Sequence, residues 1–137
     1  MVGDVWERIR DYSKLNQGKQ LPLLNVEKGT PFVIEKVADT YVKVDKLPLV
    51  NLSKDMFEAV NDYIKAQKSW VLIGASRVKT RPNTVEGVIK STFFKGSMSA
   101  TSTATWVAAI LVYSDVGIKF NHKSKGQALR SNDLTST

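Results

Sequence analysis

The side chains with the clearest chemical purpose lie in the second half of the chain. From Ser69 to Arg130 there are nine cations (Arg77, Lys79, Arg81, Lys90, Lys95, Lys119, Lys123, Lys125 and Arg130) against two acids, Glu86 and Asp115, a local balance of +7. Residues 1–68 carry eleven Lys/Arg and ten Asp/Glu and are nearly neutral. Cations gathered in one half suit a polyanion, because each phosphate they neutralise releases condensed counterions. A merely solubilising surface has the same composition, so placement must decide between the two.

Three groupings narrow the placement. Arg77, Lys79 and Arg81 alternate with Val78 and Thr80, so an extended backbone puts all three cations on one side. Lys123 and Lys125 flank Ser124 ahead of Gly126, which sets two cations on a tight turn, with His122 and Gln127 nearby. Ser99, Thr101, Ser102, Thr103 and Thr105 precede or open an apolar run. Hydroxyls and free N–H groups at the start of a helix are good ligands for phosphate, and they are equally good helix caps. Lys95, Lys119 and Arg130 complete the candidate DNA-contacting set.

Other chemistries find little material. One histidine and no cysteine leave no zinc site and no Cys/His nucleophile. Glu35, Asp39 and Asp45 are interleaved with Lys36, Lys43 and Lys46, the pattern of surface pairs. Gly74, Lys79 and Thr80 resemble a phosphate loop, but Val78 stands where the second glycine belongs. The expectation is a non-enzymatic protein with no cofactor, metal or small-molecule ligand. The charged N-terminus does not read as a signal peptide, and the uncharged run from Gly96 to Ser114 is too short in its apolar part to cross a bilayer. With no cysteine, a reducing, cytoplasmic location is expected.

The elements that must position these residues follow from local pattern. Asp4 to about Leu15 reads as an amphipathic helix, with Val5, Ile9 and Tyr12 on one face, Trp6 beside them and Asp4 with Glu7 at capping-box spacing. Residues 16–30 read as a connection with little regular structure. Segments 31–37 and 40–45 are β-rich and flank Ala38 and Asp39, a hairpin signal. A helix is expected over about 54–67, with Ser53 as N-cap, Leu52 and Phe57 as staple, and Phe57, Val60 and Ile64 on its buried face. A buried strand is expected over 69–75. A third helix is expected from Asn83 to Gly96, capped by Asn83 with Glu86 three residues on and buried through Val85, Val88, Ile89 and Phe93. A fourth helix is expected from about Thr103 to Asp115, stopped by Gly117, and then a strand, a basic turn and a strand.

Helix, short strand, helix, hydroxyl-rich turn, helix and basic hairpin, over about residues 53–130, resembles the winged helix-turn-helix family. The resemblance implies an α+β fold with a winged-helix-like DNA-binding unit over residues 51–130. Local pattern adds an N-terminal helix and β-hairpin subdomain over residues 1–50, either a separate dimerisation piece or packed on that unit, and a polar, frayed tail over 131–137. The resemblance also implies a reading helix at about 103–115 with Ser99, Thr101, Ser102, Thr103 and Thr105 at its groove-facing start, and a wing carrying Lys123 and Lys125. The expected function is double-stranded DNA binding, in a regulatory, nucleoid or partition role, with a homodimer as a further possibility. Residues 104–113 hold no Arg, Lys, Asn or Gln, so base readout is expected to be weak and phosphate contact dominant. The same apolar helix supports a second reading, a protein-interaction or scaffold module whose basic charge is incidental.

Overall fold

Helix α1 (Val5–Leu15) forms where the sequence alternates apolar and charged residues at helical spacing, and it buries Trp6, Ile9 and Ser13. Val5 and Tyr12, expected at the centre of that face, lie at its margins, half-buried. The computed structural model of the protein describes residues 5–22, 31–46, 51–67, 70–73, 84–93, 103–116, 118–123 and 126–131. After α1 the chain reverses at Gly18, whose φ of +82° favours a residue without a Cβ. The Gly18 N–H donates to the Ile34 carbonyl at 3.0 Å and delivers the chain to strand β1 (Gln20–Leu21). Part of the connection expected to lack regular structure is therefore an edge strand.

Strands β1, β2 (Phe32–Val37), β3 (Tyr41–Val44) and β4 (Leu52–Ser53) make one antiparallel sheet in that order. The expected hairpin is β2–β3, and its register steps from Ile34↔Val44 to Lys36↔Lys43, leaving Glu35 as the extra residue of a bulge. The bulge has a packing reason. Strict alternation would turn Val37 outward with Val33 and Glu35, whereas one additional residue lets Ile34 and Val37 both join the core. Lys36 then lies outward, with its Nζ 5.7 Å from the centre of the Tyr41 ring.

Strand β4 runs directly into helix α2 (Lys54–Ala66). Ser53 caps it as expected, its Oγ accepting from the Met56 N–H at 3.1 Å, and Leu52 and Phe57 are both fully buried. Phe57, Val60 and Ile64 line the buried face together with Met56 and Asn61. Next come strand β5 (Val71–Leu72), helix α3 (Val85–Phe93), helix α4 (Ala104–Tyr113) and the ribbon of β6 (Ile118–Lys123) and β7 (Gly126–Ser131). These three strands form a second antiparallel sheet in the order β5-β7-β6, the last strand lying between the other two. Helices α2, α3 and α4 pack on one another, and α2 and α4 also pack on this sheet.

The two sheets share a single core, with Trp6, Ile9, Phe32 and Ile34 in the same buried cluster as Val107, Ile110 and Leu129. The boundary expected at 50/51 is crossed twice, by β4 pairing with β3 and by α1 packing on α2 and α4. Two hydrogen bonds seal that seam, from Arg8 to the Asp115 carbonyl at 2.6 Å and from the Tyr113 hydroxyl to the Pro22 carbonyl at 2.7 Å. Within the first half, Trp6 Nε1 donates to the Asp39 carbonyl at 2.8 Å and ties α1 to the β2–β3 hairpin. No helix among the described residues is long and apolar enough to cross a membrane.

Helix α4 ends earlier than Gly117 would dictate. Asp115 takes a left-handed φ of 56°, and its N–H donates to the Val112 carbonyl. An L-residue pays steric strain there that glycine avoids. Asp115→Gly is expected to raise the unfolding free energy by about 0.5–1 kcal/mol, read as a higher urea midpoint at unchanged slope. The Arg8 bond survives the change because it ends on the backbone carbonyl.

Candidate nucleic-acid interface

The ribbon is the most informative part of the candidate interface, because pairing register assigns its residues to faces. Ile118↔Ser131, Lys119↔Arg130, Phe120↔Leu129, Asn121↔Ala128, His122↔Gln127 and Lys123↔Gly126 are the opposed pairs. Ile118 and Leu129 are buried, so the face they belong to is the core face. Alternation places Lys119, Lys123 and Arg130 together on the opposite face, with Lys119 and Arg130 directly across from each other. Lys123↔Gly126 is the last opposed pair of the ribbon.

Helix α4 and its approach depend on a different device. Glu86, on the first turn of α3, is fully buried, and its Oε1 accepts from the backbone N–H groups of Thr103 and Ala104 at 3.1 and 3.2 Å. A carboxylate thus occupies the N-terminus of α4, satisfying its orphan donors and meeting the positive end of its dipole. This corrects two local expectations. At the start of α3, Thr84 caps the helix, its Oγ1 accepting from the Gly87 N–H at 3.0 Å, in the role expected of Asn83. Thr103, expected to face a phosphate, is fully buried, and its side chain makes no capping bond to α4.

The apolar composition of α4 is accounted for within the chain. Ala104, Val107, Ala108, Ala109, Ile110 and Leu111 are buried in the common core. Thr105, Trp106, Val112 and Tyr113 are half-buried. Tyr113 is held from the N-terminal side, its ring centroid 6.2 Å from that of Tyr12 and its hydroxyl bonded to Pro22.

Of the candidate DNA-contacting residues, the structure brings Lys119, Lys123 and Arg130 to one face of the ribbon, sets Thr105 in the first turn of α4 and buries Thr103. Arg77, Lys79, Arg81, Lys95, Ser99, Thr101, Ser102 and Lys125 lie outside the described residues. The Lys119–Arg130 pairing could not be read from composition, because eleven residues separate the two in the chain and only register joins them. Glu86 did carry a signal, as one of two acids in a basic half, just ahead of a hydroxyl-rich turn that leads into a helix with no acid of its own in the first turn.

No protein-family model, no curated protein and no solved structure shows significant similarity to this chain.

Two outcomes follow from this geometry. Glu86→Ala leaves two N–H groups at the start of α4 without their acceptor and should lower the unfolding free energy by about 2–4 kcal/mol in a urea titration. Glu86→Gln, which keeps a carbonyl oxygen there, should lose less. The second outcome concerns alkaline pH. Burial raises the phenol pKa of Tyr12, with a smaller contribution from Tyr113, and burial likewise raises that of Tyr113 above the ordinary 10.0. A raised acid pKa favours the neutral phenol in the folded state. The stabilisation is therefore complete below pH 10.0 and is lost as pH rises through the folded-state values. Tyr12→Phe should flatten that alkaline loss in a pH series of thermal melts.

Proposed function

We propose that the chain binds double-stranded DNA as a winged helix-turn-helix module, chiefly by phosphate contacts from the β6–β7 ribbon. The observation that carries this reading is the common face of Lys119, Lys123 and Arg130 on the side of the ribbon away from the core. The element order agrees with it. Helix α2, strand β5, the α3–α4 pair and the two-stranded ribbon follow one another as in a winged unit, and β5 completes the ribbon's sheet. Arg77, Lys79, Arg81 and Lys125 add to the positive charge of this half by sequence.

Base readout is the smaller contribution. Residues 104–113 offer no side chain able to make a bidentate contact to a base edge, and Glu86 already fills the N-terminus of α4 with an internal anion. Affinity therefore rests on counterion release and varies little between sequences. The docking-helix reading draws no support from α4, whose apolar positions are filled from inside the chain.

A salt titration on a mixed-sequence duplex tests the proposal. Each phosphate contact contributes about 0.9 to the slope of log affinity against log salt, so Lys123→Gln with Lys125→Gln should reduce its magnitude by about 2. Absence of duplex binding at low salt would sink the reading.

A further inference from the structure

Tyr12 of α1 and Tyr113 of α4 are brought together by the seam between the two helices. Their ring centroids are 6.2 Å apart and their planes are tilted by 38°, a separation at which the edge of one ring reaches the other. Both rings are half-buried, packed against the core on one side and open to water on the other. Arg8 and Tyr113 each bond to a backbone carbonyl across the seam, so the two helices hold the rings in place. The chain has four tyrosines and no cysteine. The other two phenols stand apart, Tyr41 beside Lys36 on the β2–β3 hairpin and Tyr63 on α2 at the margin of the core. Among the described residues no other two phenol rings are in contact.

Neighbouring phenols have a characteristic reaction. A one-electron oxidant takes an electron from each while the hydroxyl proton leaves to water, giving two neutral phenoxyl radicals. Part of the unpaired spin lies on the ring carbons beside the C–O bond. Two such carbons join, the hydrogen on each leaves as a proton, and the two oxygens regain theirs. Two C–H bonds are thus exchanged for one C–C bond, with two protons and two electrons released. Hydrogen peroxide accepts both and becomes two molecules of water. Burial raises both phenol pKa values, so each ring is neutral at neutral pH and no charge opposes the approach of the pair. With no cysteine, no thiol of the same chain quenches the radicals.

We infer that Tyr12 and Tyr113 form an oxidative modification site, at which hydrogen peroxide with a haem peroxidase joins α1 to α4 as dityrosine. The inference is independent of duplex binding. The link closes a loop from residue 12 to residue 113, and a covalent closure of so long a loop strongly restricts the unfolded chain. It makes covalent a seam that Arg8 and Tyr113 otherwise hold by hydrogen bonds.

Treating the dilute full chain with a haem peroxidase and hydrogen peroxide tests it. The monomer should become lighter by two hydrogen atoms and show dityrosine fluorescence. On proteolysis it should yield one joined pair of peptides, containing Tyr12 and Tyr113. Its urea midpoint should rise above that of the untreated chain. Tyr12→Phe, which keeps the ring, should abolish this intramolecular product, whereas Tyr41→Phe with Tyr63→Phe should leave its yield unchanged. Thermal melting verifies that each variant is folded. The same treatment in denaturing urea should lose the product, because only the fold sets the two rings side by side. That second arm uses the wild-type chain, so the test stays decisive even for a variant that does not fold. Dityrosine confined to dimers and larger species overturns the proposal, as does its complete absence from the treated folded chain. An intramolecular product in folded Tyr12→Phe, or an equal yield from the unfolded wild type, overturns it as well.

Discussion

The bond between the Glu86 carboxylate and the first N–H groups of α4 governs the geometry of the second half of the chain. A helix as apolar as α4 has little polar surface with which to orient itself, and its first turn holds no acid. Burying that turn without an acceptor would strand backbone donors in a place water does not reach. Glu86 solves the problem from another helix, and so it also fixes how α3 and α4 meet. The ribbon follows α4 after a short turn and shares a sheet with β5, so its direction depends on the same joint.

That joint separates the buried positions from the charged ones. In a helix with a charged outer face, the residues that meet a ligand and those that pack the core belong to opposite sides. Here six of ten positions are inside, and the opposite side is partly covered by α1. Cationic chemistry therefore moves to the ribbon, where two-residue alternation keeps Lys119, Lys123 and Arg130 apart from the buried Ile118 and Leu129. Sheet period and helix period divide the work between them.

What could be read from the amino-acid order was whatever is decided within a few residues. Helix α2 is the clearest example, since Leu52, Ser53 and Phe57 carry both the cap and the staple within one turn of the helix start. The hairpin of β2 and β3, the existence of α3 and α4 and the final ribbon were legible for the same reason. Features that depend on distant partners were not. Glu86 has the spacing of a local capping box, and only the fold shows that it reaches N–H groups seventeen and eighteen residues away. Asp115 ends α4 two residues before the glycine that seemed to mark the stop, because the Arg8 and Val112 contacts secure a left-handed residue there. The bulge at Glu35 answers to a core built from both halves, and nothing in the pentapeptide around it announces it. Lys119 and Arg130 became a pair only through register.

The seam between α1 and α4 also has a temporal meaning. Arg8 is bonded to a carbonyl 107 residues further on, and Pro22 to a hydroxyl 91 residues further on. Contacts that distant form late, since the loop they close is most of the chain. During synthesis the first helix leaves the ribosome long before residues 113–115 exist, so its side of the seam waits in water without a partner. The bonds that tie Arg8 and Pro22 to the end of α4 are thus among the last contacts of the molecule to close.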